Sequence, residues 1–284
     1  MKIKQYRTQF IKELAPFYDA YEAESFFYLI LEEKHKLRQI DLALNHELVF
    51  TDDDFVMWDA LLKQLKKEVP IQYLLGKTHF YGLDFEVNDN VLIPRPETEE
   101  LVEWIINENS SAPKSKKIKI LDIGTGSGCI AVSLAKNLPN ATVYAIDVSK
   151  KALETAKKNA INNNVEVVFM LKNVLELEML KSDYDIIVSN PPYIRNLEKQ
   201  EIRKNVLDYE PHLALFVEDD DALIFYRQIA SLARKNLSDN GRIYFEINQY
   251  LGKETVDLLE KMGFKEIELR KDIYDNDRMI SCKI

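Results

Sequence analysis

Ile118-Lys119-Ile120-Leu121-Asp122-Ile123-Gly124-Thr125-Gly126-Ser127-Gly128-Cys129 decides the fold. An apolar strand over Ile118 to Ile123 runs straight into three glycines. A helical pattern, Ile130-Ala131-Val132-Ser133-Leu134-Ala135, follows. Glycines at 124, 126 and 128 let the backbone approach a ligand closely and tighten the strand-to-helix turn. A dinucleotide site expects G-x-G-x-x-G. Here the spacing is G-x-G-x-G, with Asp122 just before it. That pattern fits S-adenosylmethionine better than NAD, because the methionyl end carries an ammonium and a carboxylate but no pyrophosphate. Asp122 is expected to offset the ammonium, directly or through water, while backbone N–H groups face the rest of the ligand.

A second strand, Ala141-Thr142-Val143-Tyr144-Ala145-Ile146-Asp147, ends in an acid about 20 residues past the glycines. An acid there accepts both ribose hydroxyls. The competing role for Asp147 is to cap the next helix, but Ser149 is itself a good N-cap. Asp147 is therefore expected at the ribose.

Asn190-Pro191-Pro192-Tyr193 follows another apolar strand, Tyr184-Asp185-Ile186-Ile187-Val188-Ser189. Open α/β sheets place their chemistry at such strand ends. Prolines donate no backbone hydrogen bond, fix φ and push the preceding residue toward extended geometry. The loop is stiff, and its carbonyls and the Asn190 side chain suit one planar NH2, with the flat face of Tyr193 beside it. An amide and an exocyclic base amine both meet that description. A plain rigid turn is the structural alternative.

Around this core the chain divides near residue 75. Up to there the apolar spacing is helical: Tyr6, Phe10, Ile11 and Leu14, then Phe27 and Leu31, then Phe55, Trp58, Leu61, Leu62 and Leu65. Asp52-Asp53-Asp54 suits a helix N-terminus. Residues 1–75 are expected as a small helical bundle whose apolar stripes form its own core, with a binding role as the second reading, 76–94 as a β-hairpin linker, and 95–284 as the α/β domain. The hairpin reading covers Thr78 to Ile93, where apolar residues alternate. Pro94-Arg95-Pro96 stiffens a loop leading into a helix from about Glu97 to Asn107. Ser110 to Lys117 reads as a surface loop. Further strands are expected at Val165–Leu171, Gly241–Ile247, Lys265–Leu269 and Arg278–Lys283. Helices are expected at Ser149–Asn162, Asp221–Lys235 and Thr255–Met262. Alternating β and α elements imply a mostly parallel sheet covered on both faces.

The 284 residues are 46% hydrophobic and 30% charged, with a formal charge of −9, ordinary for a globular enzyme. The acidic balance argues against general nucleic-acid binding. No apolar run approaches a membrane span, and the N-terminus lacks a signal-peptide core. Two cysteines, Cys129 and Cys282, form neither a disulfide framework nor a zinc site. No metal is expected, and the expected compartment is the cytoplasm.

With these residues in view, the chain resembles the HemK/PrmC family, the protein-(glutamine-N5) methyltransferases of peptide chain release factors. The resemblance rests on Ile93-Pro94-Arg95-Pro96-Glu97-Thr98-Glu99, Asp122 to Gly128, and Asn190-Pro191-Pro192-Tyr193. Tyr209-Glu210-Pro211 with Ala214-Leu215, and Asp277-Arg278, add to it. It implies a Rossmann-like, seven-stranded class I methyltransferase domain with a small N-terminal helical bundle. It implies S-adenosylmethionine as methyl donor, S-adenosylhomocysteine as product, and the glutamine of the Gly-Gly-Gln motif of class I release factors as substrate. By position, Asp122, Gly124, Thr125, Gly126, Ser127, Gly128, Asp147 and Asn190 would contact the cofactor. Asn190, Pro191, Pro192 and Tyr193 would hold the amide. Where the family has an acid and then a variable or aromatic residue beside the adenine, this chain has Asn173 and Val174. Arg95, Glu97 and Glu210 are candidates for support of the substrate loop or for a structural ion pair.

Two other readings stay open on sequence. The amine clamp also serves N6-adenine methylation of nucleic acid, though a flipped base needs a basic track. The helical part could instead act as a binding module without catalysis, which the intact motifs disfavour.

Overall fold

Ile120 and Leu121 are neighbours in one strand, yet they enter different cores. This alternation is what a sheet covered on both faces requires. The computed structural model describes residues 1–110 and 117–284, so most of the expected surface loop at 110–117 lies outside the described residues.

In chain order the elements are α1 (Ile3–Leu14), α2 (Ala20–His35), α3 (Gln39–Leu44), α4 (Asp52–Leu65) and α5 (Ile71–Leu75), then β1 (Lys77–Phe80) and β2 (Leu83–Glu86). There follow α6 (Pro96–Asn109), β3 (Ile118–Ile123), α7 (Cys129–Asn137), β4 (Ala141–Asp147), α8 (Lys150–Asn162), β5 (Val167–Leu171) and β6 (Tyr184–Ser189). The chain ends with β7 (Ile194–Arg195), α9 (Lys204–Tyr209), β8 (Phe216–Val217), α10 (Ile224–Asn236), β9 (Leu237–Glu246), α11 (Gly252–Lys261), β10 (Lys265–Lys271) and β11 (Asp277–Lys283).

Among the described residues, seven strands form one sheet in the order β10-β11-β9-β6-β3-β4-β5. Its five central and right-hand strands are parallel, while β11 runs antiparallel to both β9 and β10. One face carries α6, α7 and α8 over residues such as Ile120, Ile186 and Tyr244. The other carries α10 and α11 over Leu121, Ile187 and Phe245. The strand order reverses direction at β3, so the carboxyl ends of β3, β4 and β6 open onto one crevice.

Two compact units emerge: residues 1–76 with 203–209, and residues 77–202 with 210–284. The first buries Tyr6, Phe10, Phe27 and Trp58 in one aromatic core, where the Trp58 indole donates to His35. Thr51 and Asp54 cap α4 reciprocally, so the acid run there closes a helix end. Tyr209 donates to the Lys67 carbonyl within the same unit.

The hairpin is shorter than the alternation predicts. Pairing stops at Glu86. Beyond it Asn88 accepts from the Asn90 amide and its carbonyl accepts from Val91, which turns the chain. Val87, Val91 and Ile93 are buried, so their pattern reports burial and not strand pairing. The hairpin itself lies in the second unit, clasped by α8: Asn159 accepts from the Glu86 amide and donates to its carbonyl, and Asn163 donates to the Asp84 carbonyl.

β9 starts four residues before the expected Gly241, because its pairing with β6 is interrupted between Tyr184 and Ile186 and absorbs a bulge. Cys282 is buried in β11 and Cys129 opens α7; both are free thiols, pushed up to about 12 by burial. Among the described residues no helix is long and apolar enough to cross a membrane.

Candidate active site

A cavity of about 260 Å³ opens at the carboxyl ends of β3, β4 and β6. Gly124 and Gly126 border it from the turn after β3, Asp147 from the end of β4, and Asn190, Pro191 and Pro192 from the loop after β6. Asn173 and Val174 line it after β5, with Phe225 and Ile229 of α10 completing an apolar wall.

The glycine turn is built inward. Gly124 and Thr125 amides donate to the Ile146 carbonyl, the Gly128 amide to Thr125, and the Gly126 amide to the Asp147 carboxylate at 2.9 Å. These four N–H groups are therefore spent within the protein and hold the turn in shape. All three glycines have positive φ. Gly128 also packs on α8, where an added Cβ would lie 3.0 Å from that of Ala156.

Asp147 is held from two sides, by the Gly126 amide and by the Ser149 amide at 2.8 Å. Ser149 caps α8 by accepting from Ala152, so the carboxylate keeps its remaining lone pairs for the cavity. Burial raises its pKa. Asp122 is fully buried and does not line the cavity. Thr125 donates to its Oδ2 at 2.6 Å, while among the described residues Oδ1 has no hydrogen-bond partner. Burial, opposed by the Thr125 bond and assisted by the Asp147 charge, pushes it up to about 7. Thr125, Ser127 and Gly128 also lie behind the lining.

Asn173 caps the short turn after β5: Oδ1 accepts from Leu175 and Nδ2 donates to Glu176. Its amide is occupied locally, and Val174 offers the apolar surface.

The loop after β6 is braced from below. Ser189 donates to the Ile123 carbonyl at 2.6 Å, joining the two motif-bearing strands. Asn190 Nδ2 donates to Thr98 Oγ1 at 3.2 Å, and Thr98 donates to the Glu246 carboxylate at 2.6 Å. Tyr193 does not line the cavity. Its hydroxyl donates to the other Glu246 oxygen at 3.0 Å, and its carbonyl accepts from Asn248. Arg95 and Glu210 form an ion pair at 2.6 Å, with Ile93 N–H donating to the same carboxylate. Glu97 sits in the first turn of α6. Among the described residues no cluster of His, Cys, Asp or Glu suits a metal.

Sequence reading missed Thr98 and Glu246. The signal was present in Ile243-Tyr244-Phe245-Glu246-Ile247: a charge inside a buried apolar run needs partners.

The sheet order, the glycine turn, the acid ending β4 and the amide-proline loop ending β6 define a class I S-adenosylmethionine-dependent methyltransferase. The residues fit that cofactor. A buried acid with an orphaned oxygen underlies the turn, a pinned carboxylate borders the cavity, and apolar side chains offer a place for a flat ring.

Comparison narrows the class. Residues 5–76 match the PrmC N-terminal domain and residues 105–210 the Methyltransferase small domain. A release factor glutamine methyltransferase of Flavobacterium psychrophilum is 64% identical over 99% of this chain and 98% of its own length. One from Bacteroides thetaiotaomicron is 41% identical over 97% and 98%. The chain belongs to the release factor glutamine methyltransferase family. Among solved structures, the hMettl16 catalytic domain in complex with MAT2A 3'UTR hairpin 6 is similar with a TM-score of 0.54 at 18% identity. That match covers 72% of this chain and 76% of the other. Human methyltransferase 10 domain containing protein gives 0.52 at 19%, covering 72% and 90%. These two share the fold alone.

Proposed function

We propose that this protein methylates the side-chain amide nitrogen of the glutamine in the Gly-Gly-Gln motif of class I release factors, in the cytoplasm. The observation that carries the proposal is the direction of the Asn190 amide. Nδ2 is committed to Thr98, and among the described residues Oδ1 accepts no hydrogen bond.

An amide nitrogen is a poor nucleophile because its lone pair is delocalised into the carbonyl. When bound, S-adenosylmethionine supplies an electrophilic methyl group. The chain's part is positioning. Asn190 Oδ1 and the Pro191 carbonyl each accept one N–H of the glutamine NH2 and aim its nitrogen. Positive charge builds on that nitrogen during transfer, so the two acceptors favour the transition state over the ground state. The extra proton leaves to solvent afterwards, and no strong base is required. Pro192 keeps the loop stiff, and Tyr193 braces it. Asp147 takes the ribose hydroxyls, Asn173 and Val174 border the adenine, and Asp122 offsets the ammonium from beneath the turn formed by Gly124, Thr125, Gly126, Ser127 and Gly128.

The helical part, residues 1–75, grips the release factor, since one glutamine supplies little specificity. Residues 76–94 link it to the catalytic domain at 95–284. Asn190→Ala tests the clamp: transfer to a release factor should vanish while cofactor binding persists. Near-normal turnover in that variant overturns the mechanism.

A further inference from the structure

We infer that Thr98 and Glu246 are positioning residues for methyl transfer: Thr98, held by the Glu246 carboxylate, fixes which end of the Asn190 amide meets the substrate. The inference rests on the reading of Asn190 as the amide clamp.

Glu246 ends β9 at 1% exposure, and Thr98 lies in the first turn of α6 at 2%. An ionised carboxylate can only accept hydrogen bonds. Both oxygens are used, one by Thr98 at 2.6 Å and one by Tyr193 at 3.0 Å. The single Thr98 proton is thereby committed, and Oγ1 is left with lone pairs. Only the NH2 end of Asn190 can meet those lone pairs, as it does at 3.2 Å. A rotated amide would set oxygen against oxygen and turn its NH2 toward the cavity. Two donors would then face the substrate NH2, and the clamp would repel what it must hold.

A buried carboxylate is costly to desolvate, and apolar replacements of buried ionic groups are often neutral or stabilising. Its partners here tie together two parts of the site: the first turn of α6 through Thr98, and the loop after β6 through Tyr193. The polarity of the chain from Glu246 through Thr98 to Asn190 is what an acceptor at position 246 uniquely sets. A glutamine there can donate to Thr98, which frees the threonine proton to point at Asn190 and lets the amide turn.

The test is single-turnover methyl transfer to a release factor, with cofactor affinity and apparent Tm measured on the same full-length variants. Thr98→Val and Glu246→Gln should each slow transfer roughly 10- to 100-fold, with cofactor affinity and the KM for the release factor near wild type. Thr98→Ser should restore the rate to within about 3-fold, because it keeps the hydroxyl. The double variant should be no slower than the worse single one, as expected of residues acting as one unit. Wild-type rates in both single variants overturn the inference, and so does a Thr98→Ser as slow as Thr98→Val. Asn190→Ala run alongside separates the two levels. If it transfers normally, the clamp reading itself fails. If it is inactive while Thr98→Val is fast, only the positioning inference fails.

Discussion

The Gly126 amide donates to the Asp147 carboxylate across 2.9 Å, tying the turn after β3 to the end of β4. One hydrogen bond thus shapes the glycine turn and aims the acid. Replacing Asp147 with Ala removes that anchor together with the acceptor proposed for two ribose hydroxyls. Hydrogen bonds to a charged group contribute about 1.5–3 kcal/mol each. Calorimetric titration should show cofactor affinity weakened by about 100-fold or more. An unchanged affinity would place the ribose elsewhere.

Asp122 makes the protein's stability depend on pH in an unusual direction. The unfolded chain releases its proton near the ordinary value of 3.8, and the folded chain near about 7. Between those values the folded state holds the extra proton, so this group's contribution to stability falls as pH rises through the window. Asn at 122 removes the ionisation while keeping an acceptor for Thr125. Without cofactor, Asp122→Asn should melt at least about 2–4 °C above wild type at pH 8, with the gap closing toward pH 4. Equal melting at both pH values would show that Asp122 does not carry this penalty.

Gly128 and Gly126 separate packing from ligand approach. An added methyl at 128 meets Ala156 at 3.0 Å in a left-handed conformation, whereas at 126 the space is open. Gly128→Ala should cost about 1–3 kcal/mol from overpacking and backbone strain. Gly126→Ala should cost less stability, since strain acts there without a clash. Thermal melts of the two variants decide the point, and a reversed order contradicts the packing role of Gly128.

Arg95 and Glu210 sit 115 positions apart and pair with the carboxylate side chain only 1% exposed. Arg95→Ala strands a buried charge that keeps the Ile93 amide as a donor. The expected loss is about 3 kcal/mol, an apparent Tm fall on the order of 10 °C. Glu210→Gln, which leaves the unpaired charge on the partly exposed Arg95 instead of on a buried carboxylate, should lose less. A harmless Arg95→Ala would remove the pair from the stabilising framework.

Strand ends were readable because β3, β4 and β6 are unbroken apolar runs that stop at glycine, aspartate or Asn-Pro. That was enough to bring Gly124, Gly126, Asp147, Asn173, Val174, Asn190, Pro191 and Pro192 around one cavity. Side-chain direction was not readable in the same way. The Tyr193 hydroxyl goes to Glu246, and the turn amides go to Ile146 and Asp147, partners set by tertiary packing. The Thr98–Glu246 bond spans 148 positions, and no local period encodes it. The short pieces α3, α5, α9, β7 and β8 carry too few residues for a period to emerge. The hairpin was overextended because buried alternation past Glu86 looks the same in a strand and in a packed turn.

Mass spectrometry of a class I release factor, after incubation with the protein and S-adenosylmethionine, tests the central claim most directly. DNA and RNA are offered in parallel. The expected result is a single added methyl on the glutamine of the Gly-Gly-Gln motif, absent with Asn190→Ala. Methyl groups appearing on adenines, or on no substrate while the protein still binds cofactor, would contradict it.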